Sequence, residues 1–199
     1  ETNTLTFSYV SKANEFYPGD VTIEVAYTLT VENELNIKYK ATTTEDTLLN
    51  LTNHAYFNLD GISGNTLDQK LQINAEKFLE LDDENIPTGN FIPMENHAFD
   101  FRSSKNVVAG IDHCFVLKNN TEPAAILESV KNGVTMKVYT DQPAVQIYVG
   151  GKTSDELQNK ESVEYHTESG ICFETQVFPD APNHEDFPNA ILRKGETYQ

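Results

Sequence analysis

Apolar and polar residues alternate along several short stretches of the chain. Residues 21–30, 34–43, 67–75 and 133–140 follow this pattern. Side chains of a β-strand point alternately to its two faces, so a period of two predicts strands with one buried and one solvated face. A helical period is not sustained along the sequence, and the best helix candidate is the short segment 154–160. The pattern therefore predicts an all-β protein.

Turn-forming residues separate the alternating stretches. Asn132-Gly133 is the strongest of these signals, because both residues favour the tight turn of a hairpin. Many short strands joined by turns are typical of an antiparallel β-sandwich. We therefore predict one large antiparallel β-sandwich that forms a single domain over residues 1–199. The other turn signals fall at 18–20, 32–33, 60–61, 87–89 and 150–151.

The chain is strongly acidic. Its 199 residues include 14 Lys and Arg and 31 Asp and Glu, which leaves a net charge of −17 at pH 7. Such a surface repels phosphate backbones and anionic lipids, so we expect neither a nucleic-acid nor a membrane partner. Apolar runs do not reach the roughly 18 residues of a membrane span, and the first residues lack the layout of a signal peptide. We expect a cytoplasmic protein.

Cysteine and histidine spacing does not indicate a metal site. Cys114 and Cys172 each lie in an apolar, strand-like run without the close pairing of metal ligands. We interpret them as buried free thiols. The five histidines are also widely spaced, so we expect no bound metal.

Three runs break the alternation and place ionisable side chains among apolar and aromatic residues. They are 50–61, 109–117 and 170–184. Burying a carboxylate or an imidazole is costly unless the group is paired or hydrogen-bonded. Functional sites are expected where local pattern rules fail, so these runs are the places to look for chemistry.

Glu174 and His54 are the candidate acid–base groups. On a strand, Glu174 shares a face with Cys172 and Gln176, and desolvation raises a carboxylate pKa toward the value that suits a general base. A free imidazole has a pKa of about 6.5, so a histidine such as His54 suits proton transfer in either direction. The pattern also allows structural roles, with Glu174 as an ion-paired residue and His54 as a hydrogen-bonded core residue.

Asp112 and His113 are neighbours in the second run. Adjacent strand residues point to opposite faces, so only one of the two side chains can enter a given pocket. The local pattern does not decide which one it is.

The same runs carry longer motifs. They are NLTNHAYFNLDG at 50–61, GIDHCFVL at 110–117, DQPAVQIYVGG at 141–151 and CFETQVFPDAPNHEDFPNAILRKGETY at 172–198. In this order they resemble the motifs of the aldose 1-epimerase, or galactose mutarotase, family. The stretch 16–43 resembles a hairpin of the same family, so the likeness covers nearly the whole chain.

The resemblance implies a large antiparallel β-sandwich of the galactose mutarotase type, a supersandwich, with an open polar cleft for a monosaccharide substrate and with no metal or organic cofactor. Members interconvert the α and β anomers of free hexoses such as galactose and glucose. Matched motif by motif, Glu174 becomes the catalytic base and His54 the catalytic acid, about one pyranose width apart. Asp112 and Gln146 become sugar-binding residues, and His113 is left as a structural residue.

The chain departs from the family at both ends. Family members extend upstream of the 16–43 stretch, and that portion carries an arginine and a histidine that hold the sugar. They also continue into a last strand. The sequence therefore resembles the C-terminal portion of a mutarotase, and we expect a poor or inactive catalyst when it is expressed alone. A non-catalytic carbohydrate-binding module on the same fold is the alternative interpretation.

Overall fold

Strands dominate the structure, a computed structural model that describes residues 3–13, 15–62, 64–119, 121–150, 160–162 and 164–199. This part of the chain contains fifteen strands, two short 3-10 helices and no α-helix. The prediction of an all-β protein is confirmed. The helix predicted at 154–160 lies, except for its last residue, outside the described residues. Within them, no helix is long and apolar enough to cross a membrane.

All pairings between the named strands are antiparallel. The strands are β1 (Thr4–Ser11), β2 (Val21–Leu29), β3 (Leu35–Thr43), β4 (Thr47–Leu48), β5 (Tyr56–Phe57), β6 (Lys70–Ile73), β7 (Ala75–Leu81), β8 (Pro87–Pro93), β9 (Lys105–Asn106), β10 (Asp112–Leu117), β11 (Ala125–Glu128), β12 (Thr135–Val138), β13 (Ala144–Val149), β14 (Ile171–Gln176) and β15 (Ile191–Leu192). The 3-10 helices are Thr66–Asp68 and Ala181–Asn183.

The chain divides into two compact units. One comprises residues 1–51 and 189–199, and the other comprises residues 52–188. Each unit has its own sheets and its own buried apolar cluster. A single domain over residues 1–199 stays a prediction.

The smaller unit is built on a three-stranded sheet in the order β1-β2-β3. β2 and β3 correspond to the alternating stretches 21–30 and 34–43, which confirms both strand predictions. A second small sheet pairs β4 with β15. Val21 and Ala41 belong to the buried core of this unit, and Tyr198 exchanges two backbone hydrogen bonds with Ala41 at N–O distances of 2.9 and 3.0 Å.

The larger unit contains two sheets. Six strands form one sheet in the order β5-β14-β13-β10-β7-β8, and four form the other in the order β12-β11-β6-β9. The alternating stretches 67–75 and 133–140 contain β6 and β12. The turn at Asn132-Gly133 joins β11 to β12, so the hairpin prediction is confirmed. Gly133 has a φ of 77°, a left-handed conformation that glycine adopts without steric cost.

Apolar side chains from both sheets of the larger unit form one buried core. Leu71 on β6 and Leu127 on β11 come from the four-stranded sheet, and both are fully buried. The six-stranded sheet contributes alternate residues, such as Phe115 on β10 and Ile147 on β13. Burying each such side chain stabilises the fold by about 1.5–3 kcal/mol. One face of the six-stranded sheet is therefore committed to the core, which leaves the other face for polar groups.

His113 lies on the core-facing side of β10. Its ring contacts Phe78 and Phe99 at centroid distances of 5.3 and 4.9 Å. Burial lowers the pKa of His113 below its ordinary value, the charge of Asp112 opposes this shift, and His97 adds to it. This position is consistent with the structural role expected for His113.

Phe115→Ala should destabilise the protein by about 3–5 kcal/mol, because it removes a fully buried ring and leaves a cavity. Urea denaturation measures the change in the free energy of unfolding. Tyr139→Ala is the control, since Tyr139 is exposed and its truncation should cost about 0.5 kcal/mol or less. A loss below about 1 kcal/mol for Phe115→Ala would contradict the placement of this ring in the core.

The free energy of unfolding should fall as the pH drops below 6.5, in part because of His113. The folded-state pKa of His113 is lowered from 6.5, so between that lowered value and 6.5 the unfolded chain binds more protons than the folded protein. This contribution is fully present above 6.5 and is lost as the pH falls through the folded-state pKa. His113→Phe should therefore flatten the dependence of the free energy of unfolding on pH. If the free energy of unfolding had the same slope against pH in His113→Phe and in the wild type, the contribution of His113 would be refuted.

Candidate active site

Two rows of side chains cross β10, β13 and β14 on the face of the six-stranded sheet opposite the core. Residues paired directly across antiparallel strands point to the same face of a sheet. The rows are Asp112–Tyr148–Cys172 and Cys114–Gln146–Glu174. Tyr56 on β5 extends the first row, because it pairs with Cys172.

Glu174 and His54 are in direct contact. His54 precedes β5, the strand that pairs with β14, and its Nε2 lies 3.3 Å from Oε1 of Glu174. Glu174 is buried while His54 is exposed, so the imidazole is the partner with room to move. The predicted separation of one pyranose width is wrong for this structure, because the two groups pair directly.

Burial raises the pKa of Glu174 above its usual value. The charge of His54 opposes that rise, and the negative charge of Asp112 adds to it. Among the described residues, the ion-pair partner of Glu174 is this histidine rather than a Lys or Arg. A carboxylate with a raised pKa is a stronger base, so the setting suits acceptance of a proton from a hydroxyl group.

Asp112 and Gln146 form a hydrogen-bonded pair beside Glu174. Nε2 of Gln146 donates a 2.7 Å hydrogen bond to Oδ1 of Asp112, and Gln146 lies next to Glu174 in the strand register. Of the two neighbours Asp112 and His113, Asp112 is therefore the one on the site face. A carboxylate and an amide offer both acceptors and donors to hydroxyl groups. The structure thus brings together Glu174, His54, Asp112 and Gln146.

Tyr56 and Tyr148 surround the imidazole, although the sequence motifs assigned neither of them to the site. The ring of His54 stacks on Tyr56 at a centroid distance of 5.4 Å and meets Tyr148 edge-on at 6.2 Å. The two tyrosine rings are 6.1 Å apart. Tyr56 lies two residues after His54, and Tyr148 lies two residues after Gln146. The period of two was therefore the signal that would have found them.

A thiol lies close to Glu174 and His54. One ligand-type atom each from His54, Cys172 and Glu174 lies within 4.8 Å of the other two. Cys172 and Cys114 are free and buried, as predicted, and burial raises the pKa of each thiol to about 12. The alternation predicted that Cys172 and Glu174 share a face. It gave no information on the distance from Cys172 to His54, because His54 lies in a distant segment of the sequence.

The chain matches a known family along its whole length. The sequence model described as aldose 1-epimerase aligns with residues 1–199. Galactose mutarotase of Mus musculus is 40% identical over 209 residues, covering 99% of this chain and 61% of that protein. Aldose 1-epimerase of Escherichia coli (strain K12) is 34% identical over 199 residues, covering 92% of this chain and 57% of that protein. The chain thus spans about three fifths of the length of these curated relatives.

A solved structure agrees with the sequence match. The GalM/aldose epimerase homologue from C. elegans superposes with a TM-score of 0.88 at 31% sequence identity, covering 100% of this chain and 65% of that chain. The match confirms the predicted fold class, an antiparallel β-sandwich of the galactose mutarotase type. Sequence and fold lead to the same conclusion: the chain belongs to the aldose 1-epimerase family.

Proposed function

We propose that the protein is an aldose 1-epimerase that interconverts the α and β anomers of free hexoses such as galactose or glucose. The observation that carries the proposal is the 3.3 Å contact between a buried carboxylate, Glu174, and an exposed imidazole, His54. Opening a sugar ring needs a base at the C1 hydroxyl group and an acid at the ring oxygen. This pair supplies both. Membership of the aldose 1-epimerase family supports the same reaction.

Glu174 accepts the proton of the C1 hydroxyl group while His54 donates a proton to the ring oxygen. The bond between C1 and the ring oxygen breaks, and the open-chain aldehyde rotates about the C1–C2 bond. On closure from the other face, the attacking hydroxyl group returns its proton to His54, and Glu174 gives its proton to the new C1 hydroxyl group. Both residues end in their starting protonation states. Each positioned acid or base typically contributes about 10²–10⁴ in rate.

The close contact of the pair fits this chemistry. The C1 hydroxyl oxygen and the ring oxygen are bonded to the same carbon, so the groups that act on them have to converge on neighbouring positions. His54 and Glu174 already converge. Because His54 is exposed, rotation of its side chain opens the pair and admits the sugar without disturbing β14.

Sugar recognition is assigned to the groups around the pair. Asp112 has a second carboxylate oxygen and Gln146 an amide oxygen that can bind hydroxyl groups in addition to their mutual hydrogen bond. Tyr56 and Tyr148 present aromatic rings beside His54, and such rings suit the apolar C–H face of a pyranose. The two kinds of group together favour a monosaccharide substrate.

The alternative of a non-catalytic carbohydrate-binding module is not favoured. Such a module needs hydroxyl-binding groups and aromatic rings, but it does not need a buried base in contact with an imidazole. Placing a carboxylate at a buried position costs free energy that binding alone does not require. The Glu174–His54 contact therefore favours catalysis.

Glu174→Gln should lower the rate of anomer interconversion by about 10² or more in the complete protein, because the substitution keeps the shape of the side chain and removes its basicity. Polarimetry on freshly dissolved α-galactose or α-glucose, corrected for the uncatalysed reaction, measures the rate. The free energy of unfolding should change little.

Glu128→Gln is the matched control for this prediction. Glu128 is an exposed carboxylate on β11, in the other sheet, and its substitution should leave the rate unchanged. If Glu174→Gln keeps more than about a tenth of the wild-type rate, Glu174 is not the general base.

A further inference from the structure

Three side chains with different metal-binding atoms meet at the acid–base pair. One ligand atom each from His54, Cys172 and Glu174 lies within 4.8 Å of the other two. We propose that Zn²⁺, or a divalent ion with the same preference for nitrogen and sulfur ligands, binds these three residues and inhibits the enzyme by excluding the sugar. The inhibition rests on the proposed function, whereas the binding site rests on the geometry alone.

The spacing of the three atoms fits a zinc ion after a small adjustment. Zinc lies about 2.0–2.3 Å from nitrogen, oxygen and sulfur ligands, so two ligands of a tetrahedral site are roughly 3.3–3.7 Å apart. Nε2 of His54 and Oε1 of Glu174 are already 3.3 Å apart. The other pairs of ligand atoms lie within 4.8 Å, so they reach this spacing after an adjustment of roughly 1–1.5 Å at most.

The ligand set selects the kind of ion. Calcium and magnesium prefer sites made of oxygen atoms, whereas imidazole and thiolate ligands favour zinc and similar transition metals. Three protein ligands leave the fourth position of a tetrahedral zinc ion to water. The net charge of −17 and the carboxylate of Asp112, in the same row as Cys172, favour the approach of a cation.

Metal binding and catalysis exclude each other at this site. Coordination takes up the lone pair of the His54 imidazole and of the Glu174 carboxylate, so neither group is left to move a proton to or from a sugar. The Cys172 thiol gives its proton to water when it becomes a ligand. Zinc therefore acts as a competitive inhibitor that removes both members of the acid–base pair at once.

Cobalt titration tests the binding site directly and needs no activity. Co²⁺ added to the full chain should produce a thiolate-to-cobalt charge-transfer band in the near ultraviolet together with the visible bands of a tetrahedral ion, and equimolar Zn²⁺ should abolish both. Cys172→Ser should lose the charge-transfer band and weaken cobalt binding at least about tenfold. A wild-type chain without the band would overturn the proposal.

Cys114→Ser is the matched control, because Cys114 is the other buried free thiol on the same face of the sheet. It should keep the band at wild-type intensity. Loss of the band in Cys114→Ser, or its survival in Cys172→Ser, would refute the assignment of Cys172 as a ligand. His54→Asn gives a second test at an exposed position where folding is not at risk, and it should also weaken cobalt binding at least about tenfold.

The kinetic test separates this proposal from the proposed function. In polarimetric assays of the complete protein, Zn²⁺ should raise the apparent KM for galactose without changing kcat, and a chelator should restore the original KM. Cys172→Ser should lose most of its sensitivity to zinc, measured against its own rate without zinc. Zinc inhibition of equal strength in Cys172→Ser would overturn the inhibitory role, whereas a protein that binds cobalt through Cys172 but has no mutarotase activity would refute only the proposed function.

Discussion

The register of β10, β13 and β14 is the constraint on which the site depends. Each of these strands buries alternate side chains in the apolar core and presents the others on the opposite face, where the site lies. A slip of one residue would turn Phe115 outward and Asp112 into the core. The protein would lose the free energy of apolar burial, so this register is unstable. The core therefore positions Glu174 and Gln146 as firmly as it positions its own members, although neither residue contributes to it.

At Glu174 the same constraint has an electrostatic consequence. The strand holds the carboxylate at a buried position, where its charged form is poorly solvated. The nearby imidazole of His54 compensates part of that cost, while the carboxylate of Asp112 adds to it. Burial thus makes Glu174 more basic and at the same time destabilises its charged form. A solvated surface carboxylate would not have a raised pKa. Stability and basicity are opposed at this one position of β14.

Local patterns predicted much of the fold because strand alternation and tight turns depend on neighbouring residues. The hairpin at Asn132-Gly133 and the shared face of Cys172 and Glu174 follow from such patterns. Family motifs grouped His54 with Glu174, but they did not give the 3.3 Å distance between them. That contact, like the approach of Tyr148 to His54, depends on which strands become neighbours. Strand order is set by burial between segments far apart in the sequence.

The strand order also determines when the site forms during folding. The hairpin of β11 and β12 joins residues that are close in the chain, and such hairpins form in about 1–10 μs. The pairing of β5 with β14, in contrast, brings Tyr56 to Cys172 and closes a long loop, which makes it entropically costly and slow. A chain that stops folding before the native state has its local hairpins, but His54 and Glu174 are not yet in contact. The contact between His54 and Glu174 is therefore present only in completely folded molecules.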